Sequence, residues 1–130
     1  MSCLSVLYVD DEPDIREIAG LALGLDPGLE VRLAGSGAEA LEMVRGGAWR
    51  PDVVMLDVMM PVMDGPAVLA GLREENATVA TPIVFITART QAQDRERLLQ
   101  LGAVAIIAKP FDPMTLAQQL RAVLPKDLAA

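Results

Sequence analysis

The stretch LSVLYVDD, residues 4–11, joins a strand-like apolar run to a pair of aspartates. Three later apolar runs also end on a polar residue: VVML before Asp57, IVFI before Thr87 and AIIA before Lys109. Helical patterns separate these runs, and the alternation predicts βαβ units with a parallel sheet. Because ligands bind outside the carboxyl ends of parallel strands, we expect the polar side chains to meet at one edge of the sheet.

The other elements follow from polarity and capping patterns. Residues 29–33 alternate in the manner of a half-exposed strand near a sheet edge. Five helix starts are predicted from Pro13, from Ser36 with Glu39, from Asp64, from Thr90 with Gln93, and from Asp112 with Pro113. Helical spacing predicts buried faces that include Ile15, Ile18, Ala19 and Ala22 in the first helix and Leu98 and Leu101 in the fourth.

Composition narrows the class of protein. The chain has 130 residues, 52% of them hydrophobic, and we expect one domain over residues 1–125 with a loose tail at 126–130. The net charge of −7 argues against a nucleic-acid partner. No apolar stretch approaches the roughly 20 residues needed to cross a bilayer, and the N-terminus lacks a basic signal-peptide region. We therefore expect a cytoplasmic protein without a membrane partner.

The three aspartates after the first and third strands suggest a metal site. Asp10, Asp11 and Asp57 would repel one another at the mouth of an apolar sheet, and a divalent cation would remove that cost. The chain has no His, and Cys3 is its single cysteine. Oxygen ligands alone favour Mg²⁺, Ca²⁺ or Mn²⁺. Capping of the first helix is the simpler explanation, but it accounts for only one aspartate.

Asp57 is also a candidate nucleophile, because aspartate can form an acyl phosphate. Lys109 would supply a cation and Thr87 a hydroxyl donor, which are the groups that phosphoryl transfer requires. Taken separately, Lys109 reads as a surface lysine and Thr87 as a turn residue at a strand end. The aspartates, the threonine and the lysine occur together at four strand ends, and this combination favours a phosphoryl site.

The chain closely resembles the receiver domains of two-component response regulators, the single-domain chemotaxis receivers included. The matching motifs, in order and spacing, are VDDEP at residues 9–13, LDVMMPVMDG at 56–65, ITA at 86–88, GA at 102–103 and KPF at 109–111. The resemblance implies a flavodoxin-like (βα)5 fold, a doubly wound parallel five-stranded sheet of strand order 2-1-3-4-5. It covers nearly the whole chain.

The resemblance also implies a function. Asp57 would accept a phosphoryl group from a sensor histidine kinase or a histidine phosphotransferase. Mg²⁺, with Mn²⁺ as a substitute, would be held by Asp11 and Asp57 directly, by Asp10 through water, and by the backbone carbonyl of Met59. Such a module signals to a downstream effector protein through a conformational change. It phosphorylates and dephosphorylates itself and is not a turnover enzyme.

Two further roles and one backbone feature are implied in the same way. Thr87 and Lys109 would contact the phosphoryl oxygens, and Thr87 would move toward the added charge. The bond between Lys109 and Pro110 is expected to be cis.

The chain departs from the family pattern in its fifth strand. Ile106 stands where the family often carries a Tyr or Phe whose rotamer changes with Thr87. Val104 and Ala105 stand where acidic residues are frequent. One hypothesis is that the face formed by the fourth helix, fifth strand and fifth helix docks a partner or a second copy as a homodimer. Packing of Val104 and Ala105 under adjacent helices is the alternative.

Two other functions remain open at this point. A receiver fold could bind partners regardless of phosphorylation, an alternative that Ile106 leaves open. A small Mg²⁺-dependent phosphatase with an aspartyl nucleophile is the other, but such enzymes usually carry a second aspartate two residues after the nucleophile. Met59 occupies that place.

Overall fold

A computed structural model describes residues 3–125, and the predicted tail at 126–130 lies outside the described residues. Within this range the chain forms five strands and five α-helices in alternation. The elements are β1 (Leu4–Val9), α1 (Pro13–Gly24), β2 (Leu29–Ala34), α2 (Gly37–Val44), a 3₁₀ turn (Arg45–Gly47), β3 (Val53–Asp57), α3 (Gly65–Glu74), β4 (Ile83–Thr87), α4 (Ala92–Gln100), β5 (Ala105–Ala108) and α5 (Leu116–Val123).

All four strand pairings are parallel, and the sheet order is β2-β1-β3-β4-β5. This confirms the predicted fold, with β2 at an edge. Val9 pairs with Leu56 and Asp57 pairs with Ile86, so β1, β3 and β4 end at the same level of the sheet. Thr87 pairs with Ala108, which places Lys109 directly beyond the end of β5. The register therefore brings the polar strand ends together.

Each face of the sheet is covered by its own helices. Val54 and Leu56 of β3 pack in a core with α2, α3 and α4, whereas Val53 and Met55 pack in a second core with α1 and α5. All five residues of β3 are buried, as a central strand covered on both faces requires. No helix among residues 3–125 is long and apolar enough to cross a membrane.

Two predicted helix starts are confirmed by their capping bonds. The Ser36 hydroxyl accepts the Glu39 N–H at the start of α2, and the Asp64 carboxylate accepts the Ala67 N–H at the start of α3. The Glu39 carboxylate reaches back to the N–H of Gly35, one residue before the cap. Both helices thus begin where the motifs place them.

Two other predicted starts are wrong. The helix α4 begins one residue later than the Thr90 pattern predicts, with Gln91 at the cap, because the Thr87 hydroxyl accepts the Arg89 N–H and holds the preceding residues in a turn. The helix α5 begins at Leu116 instead of Pro113. Asp112 accepts the Met114 N–H and closes a separate turn before the helix.

Two residues of the predicted buried faces are exposed. Ile18 is 44% exposed and Leu101 is 45% exposed. Ile18 faces an open groove that Pro110 and Phe111, between β5 and α5, also line, and Leu101 is the residue that ends α4. The helix α1 buries Leu23 instead, which completes its contact with the sheet.

Candidate functional site

Three carboxylates lie together at the carboxyl ends of β1 and β3. One carboxylate oxygen from each of Asp10, Asp11 and Asp57 lies within 4.8 Å of the others. Asp10 is fully buried, Asp57 is 3% exposed and Asp11 is half-buried. When Asp10 and Asp57 are both ionised, their negative charges repel each other strongly, because burial excludes the water that would screen them. The buried Asp57 Oδ2 also has no hydrogen-bond partner among the described residues, so this donor set fits a divalent cation.

Asp10 is held by three hydrogen bonds. Its Oδ1 accepts the backbone N–H of Glu12 at 3.0 Å, while its Oδ2 accepts the hydroxyl of Tyr8 at 3.1 Å and the ammonium of Lys109 at 3.0 Å. Arg16 donates to the Asp10 backbone carbonyl at 2.8 Å. Asp10 therefore has a fixed orientation at the base of the carboxylate cluster.

Lys109 lies among three carboxylates. Its Nζ is 3.0 Å from Asp10 Oδ2, 3.5 Å from Asp57 Oδ2 and 3.6 Å from Glu12 Oε1. Burial alone lowers the pKa of Lys109, but the bond to Asp10 and the charges of Asp10, Asp57 and Glu12 outweigh burial and raise it. Lys109 is therefore charged and partly neutralises the cluster.

Burial raises the pKa of Asp57 to about 6, and the negative charge of Asp10 adds to the increase while Lys109 opposes it. Between the ordinary value of 3.8 and about 6, the folded chain binds a proton that the unfolded chain has released. The ionised carboxylate therefore destabilises the fold, and stability falls as pH rises through this window.

We predict that Asp57→Asn raises the free energy of unfolding by on the order of 2 kcal/mol at about pH 7.5 in EDTA, and by little near pH 4. Asparagine removes the buried charge, which is already neutral at the lower pH. Urea denaturation at both pH values measures the difference. Saturating Mg²⁺ is expected to cancel the advantage by stabilising the wild type alone. An equal gain at both pH values would contradict the prediction.

Thr87 ends β4 and is buried. Its hydroxyl accepts the Arg89 N–H at 3.0 Å, and its carbonyl accepts the Lys109 N–H at 2.9 Å. The strands β4 and β5 thus present Thr87 and Lys109 side by side at the edge that carries the carboxylates. The peptide bond between Lys109 and Pro110 is cis, as expected.

Met59 lies two residues after Asp57, in the loop that leads to α3, and its side chain is exposed. The same loop contains Val62, whose φ of 68° makes it the one described residue other than glycine in the left-handed region. A β-branched side chain is unfavourable there, and that of Val62 is fully exposed. The loop after Asp57 is therefore strained.

We predict that Val62→Asn raises the free energy of unfolding by about 1 kcal/mol, because asparagine tolerates the left-handed conformation and no packing is lost. Urea denaturation measures the change. Val79→Asn is the control, since Val79 is also exposed but has an ordinary φ, and less than about 0.5 kcal/mol is expected there. If Val62→Asn lowered the free energy of unfolding, the left-handed conformation of Val62 would not be a source of strain.

Ile106, at the position of the usual aromatic, is buried on the face of the sheet that α4 covers. It belongs to the core that also contains Phe85, Leu98 and Ala103. Val104 is 42% exposed and Ala105 is half-buried, so adjacent helices cover Val104 only in part. Leu99 and Leu101 are exposed on the neighbouring end of α4.

Two contacts of Asp10 lie outside what the motifs predict, namely the hydroxyl of Tyr8 and the guanidinium of Arg16. A signal for Tyr8 exists in the sequence. Residues two apart on a strand share a face, and Tyr8 precedes Asp10 by two. A polar-tipped aromatic at that spacing predicts a contact with the aspartate. No comparable signal exists for Arg16, which donates to a backbone oxygen.

The chain matches a family model described as "Response regulator receiver domain" over residues 6–121. The probable transcriptional regulatory protein TcrX of Mycobacterium tuberculosis is 40% identical over 121 residues, which are 93% of this chain and 50% of that protein. Response regulator Rre1 of Synechocystis is 37% identical over 127 residues, which are 98% of this chain and 54% of that protein. The chain spans about half the length of these curated relatives.

A solved structure of the chemotaxis response regulator CheY4 of Vibrio cholerae is 36% identical with a TM-score of 0.84. The match covers 95% of this chain and all of the solved chain. The motifs, the strand order and these comparisons agree, and the chain belongs to the response regulator receiver domains of two-component signalling.

Proposed function

We propose that the chain accepts a phosphoryl group on Asp57 from the phosphohistidine of a sensor histidine kinase or a histidine phosphotransferase. The observation that carries the proposal is the buried Asp57 Oδ2, which has no hydrogen-bond partner among residues 3–125 and lies 3.5 Å from Lys109 Nζ. A carboxylate oxygen of Asp57 attacks phosphorus, the P–N bond breaks, and the imidazole leaves with the bonding electrons. The product is an acyl phosphate.

Asp10, Asp11 and Asp57, with the carbonyl of Met59, would hold Mg²⁺ or Mn²⁺. The cation would neutralise charge on the phosphoryl oxygens when bound. Lys109 supplies a second positive charge beside Asp57, and Thr87 supplies a hydroxyl at the neighbouring strand end. Release of the Thr87 hydroxyl from the Arg89 N–H would let it follow the phosphoryl group, which couples the site to the loop before α4.

We propose that the phosphodonor docks in a groove next to Lys109. Ile15 and Ile18 of α1 face Pro110 and Phe111 across an open, mainly apolar groove with a volume of about 350 Å³. Lys109 also lines this groove. A helical donor seated there would bring its phosphohistidine to the same edge of the sheet as Asp57. The exposure of Ile18 supports this role, because apolar side chains exposed together on a protein surface mark sites of contact with a partner.

Intact-protein mass after incubation with acetyl phosphate and Mg²⁺ tests the proposal. We expect one phosphoryl adduct on the wild type, and loss of it in Asp57→Asn and in EDTA. Asp94→Asn, which changes an aspartate in the first turn of α4, is the matched control and is expected to keep the adduct. An absent adduct under all conditions would refute phosphorylation and favour a receiver that binds partners without it.

A second copy of the chain is the proposed partner for the face formed by α4, β5 and α5. Leu99, Leu101 and Val104 are exposed together at the junction of α4 and β5. Burying them in a dimer interface would remove apolar surface from water. Solution mass with and without a phosphate mimic tests this, and a monomer that stays unchanged would count against self-association.

A further inference from the structure

Tyr8 is the only tyrosine in the chain, and its side chain is completely buried in β1. Its ring packs in the core between the sheet and helices α1 and α5. Its hydroxyl donates to Asp10 Oδ2 at 3.1 Å. A buried phenol that reaches a carboxylate of the proposed cation site is more than packing, because an apolar residue would fill the same strand position without a polar atom to satisfy.

Asp10 depends on Lys109 for its other bond to Oδ2. Lys109 is shared with Asp57 and Glu12, whose carboxylate oxygens lie 3.5 Å and 3.6 Å from its Nζ. Tyr8 is not divided among carboxylates in this manner, since its hydroxyl donates to Asp10 and its ring is enclosed by the core. We propose that Tyr8 is a positioning residue that fixes the Asp10 carboxylate at the cation site.

The proposal rests on the proposed function, and it concerns the unphosphorylated protein. The Tyr8 hydroxyl is the donor in this bond, because the carboxylate oxygen that lies 3.1 Å away can only accept. With Oδ2 occupied by Tyr8 and Lys109, Oδ1 accepts one N–H, from Glu12, and keeps a lone pair for the cation or its water.

Tyr8→Phe removes this hydroxyl and keeps the ring in its packing. Thr78→Val is the matched control, because the Thr78 hydroxyl is also buried and donates to the Leu72 carbonyl at 2.6 Å, at the far end of α3. Calorimetric titration of each unphosphorylated protein with Mg²⁺ gives the dissociation constant. We expect Tyr8→Phe to weaken Mg²⁺ binding roughly tenfold and Thr78→Val to leave it unchanged.

The near-ultraviolet spectrum of the wild type minus that of Tyr8→Phe reports on the Tyr8 hydroxyl, because Tyr8 is the one tyrosine and Trp49 contributes to both spectra. We expect Mg²⁺ to change this difference spectrum with the midpoint found by calorimetry. A spectrum that Mg²⁺ does not alter, equal effects of the two substitutions, or tighter binding by Tyr8→Phe would overturn the inference. So would a wild type that fails to bind Mg²⁺.

The proposed function is judged separately, by the phosphoryl adduct on the wild type. A wild type that binds Mg²⁺ but takes no adduct refutes phosphorylation, and the Tyr8→Phe titration still decides the inference.

Discussion

Replacing Lys109 with methionine is expected to lower the rate of phosphorylation by acetyl phosphate on the order of a hundredfold. Lys109 is the cation that lies 3.0 Å from Asp10 and 3.5 Å from Asp57, and its side chain is largely buried. Methionine keeps the length of the side chain and removes the charge that would face the phosphoryl oxygens. The rate of adduct formation, followed by intact mass at saturating Mg²⁺, measures the loss.

The same substitution is expected to destabilise the fold in EDTA by about 3 kcal/mol, because it leaves buried carboxylates without their cation. The exposed pair of Arg45 and Glu42 offers a matched control. Arg45→Met removes a cation from a solvated pair and is expected to change stability by less than about 0.5 kcal/mol. Comparable losses from both substitutions, or a rate reduced by less than about tenfold, would contradict the role given to Lys109.

Gly65→Ala is expected to cost about 2–3 kcal/mol of stability and to weaken Mg²⁺ binding at least roughly tenfold. A Cβ at Gly65 would lie 2.7 Å from the Asp57 carbonyl oxygen and 2.9 Å from Val58 Cα. Both are backbone atoms of the segment that carries Asp57, and Phe85 Cε1 follows at 3.1 Å. The start of α3 could accept the methyl group only by displacing Asp57.

Gly24→Ala is the control for this substitution. Gly24 is the last residue of α1, and a Cβ there would meet no atom within 4 Å. We expect the variant to be neutral or slightly more stable, because alanine favours the helix. Urea denaturation and Mg²⁺ calorimetry on both variants make the comparison. If Gly65→Ala binds Mg²⁺ as the wild type does, the close approach of α3 does not fix the position of Asp57.

The parallel sheet and the polar residues at the strand ends could be predicted because both follow from patterns that local physics enforces. A run such as residues 53–56 can be buried on both faces only in a covered central strand. The helix starts at Ser36 and Asp64 were also predictable, since each cap needs only a side chain three residues from an N–H. Long-range pairing of the strands came from the family resemblance, not from periodicity.

The rest depends on contacts that local patterns do not determine. The N-cap of α4 is Gln91 and not Thr90, because the Thr87 hydroxyl accepts the Arg89 N–H and holds the residues before the helix in a turn. Asp112 accepts the N–H of Met114, two residues away, and so closes a separate turn before α5. Ile18 satisfies helical spacing, but it borders an open groove that Pro110 and Phe111 also line, and the position of that segment is a property of the whole fold.

The two margins of the sheet differ in a way that limits how copies of the chain can meet. The outer strand β2 carries the exposed, charged Glu30 and Arg32, and Arg32 lies 4.5 Å from the centre of the Trp49 ring. The opposite margin, β5, is only four residues long. Charge on one border and shortness on the other discourage strand addition from a neighbouring molecule. Association that extends the sheet, the usual beginning of aggregation, is therefore disfavoured, and contacts between copies are left to the helices.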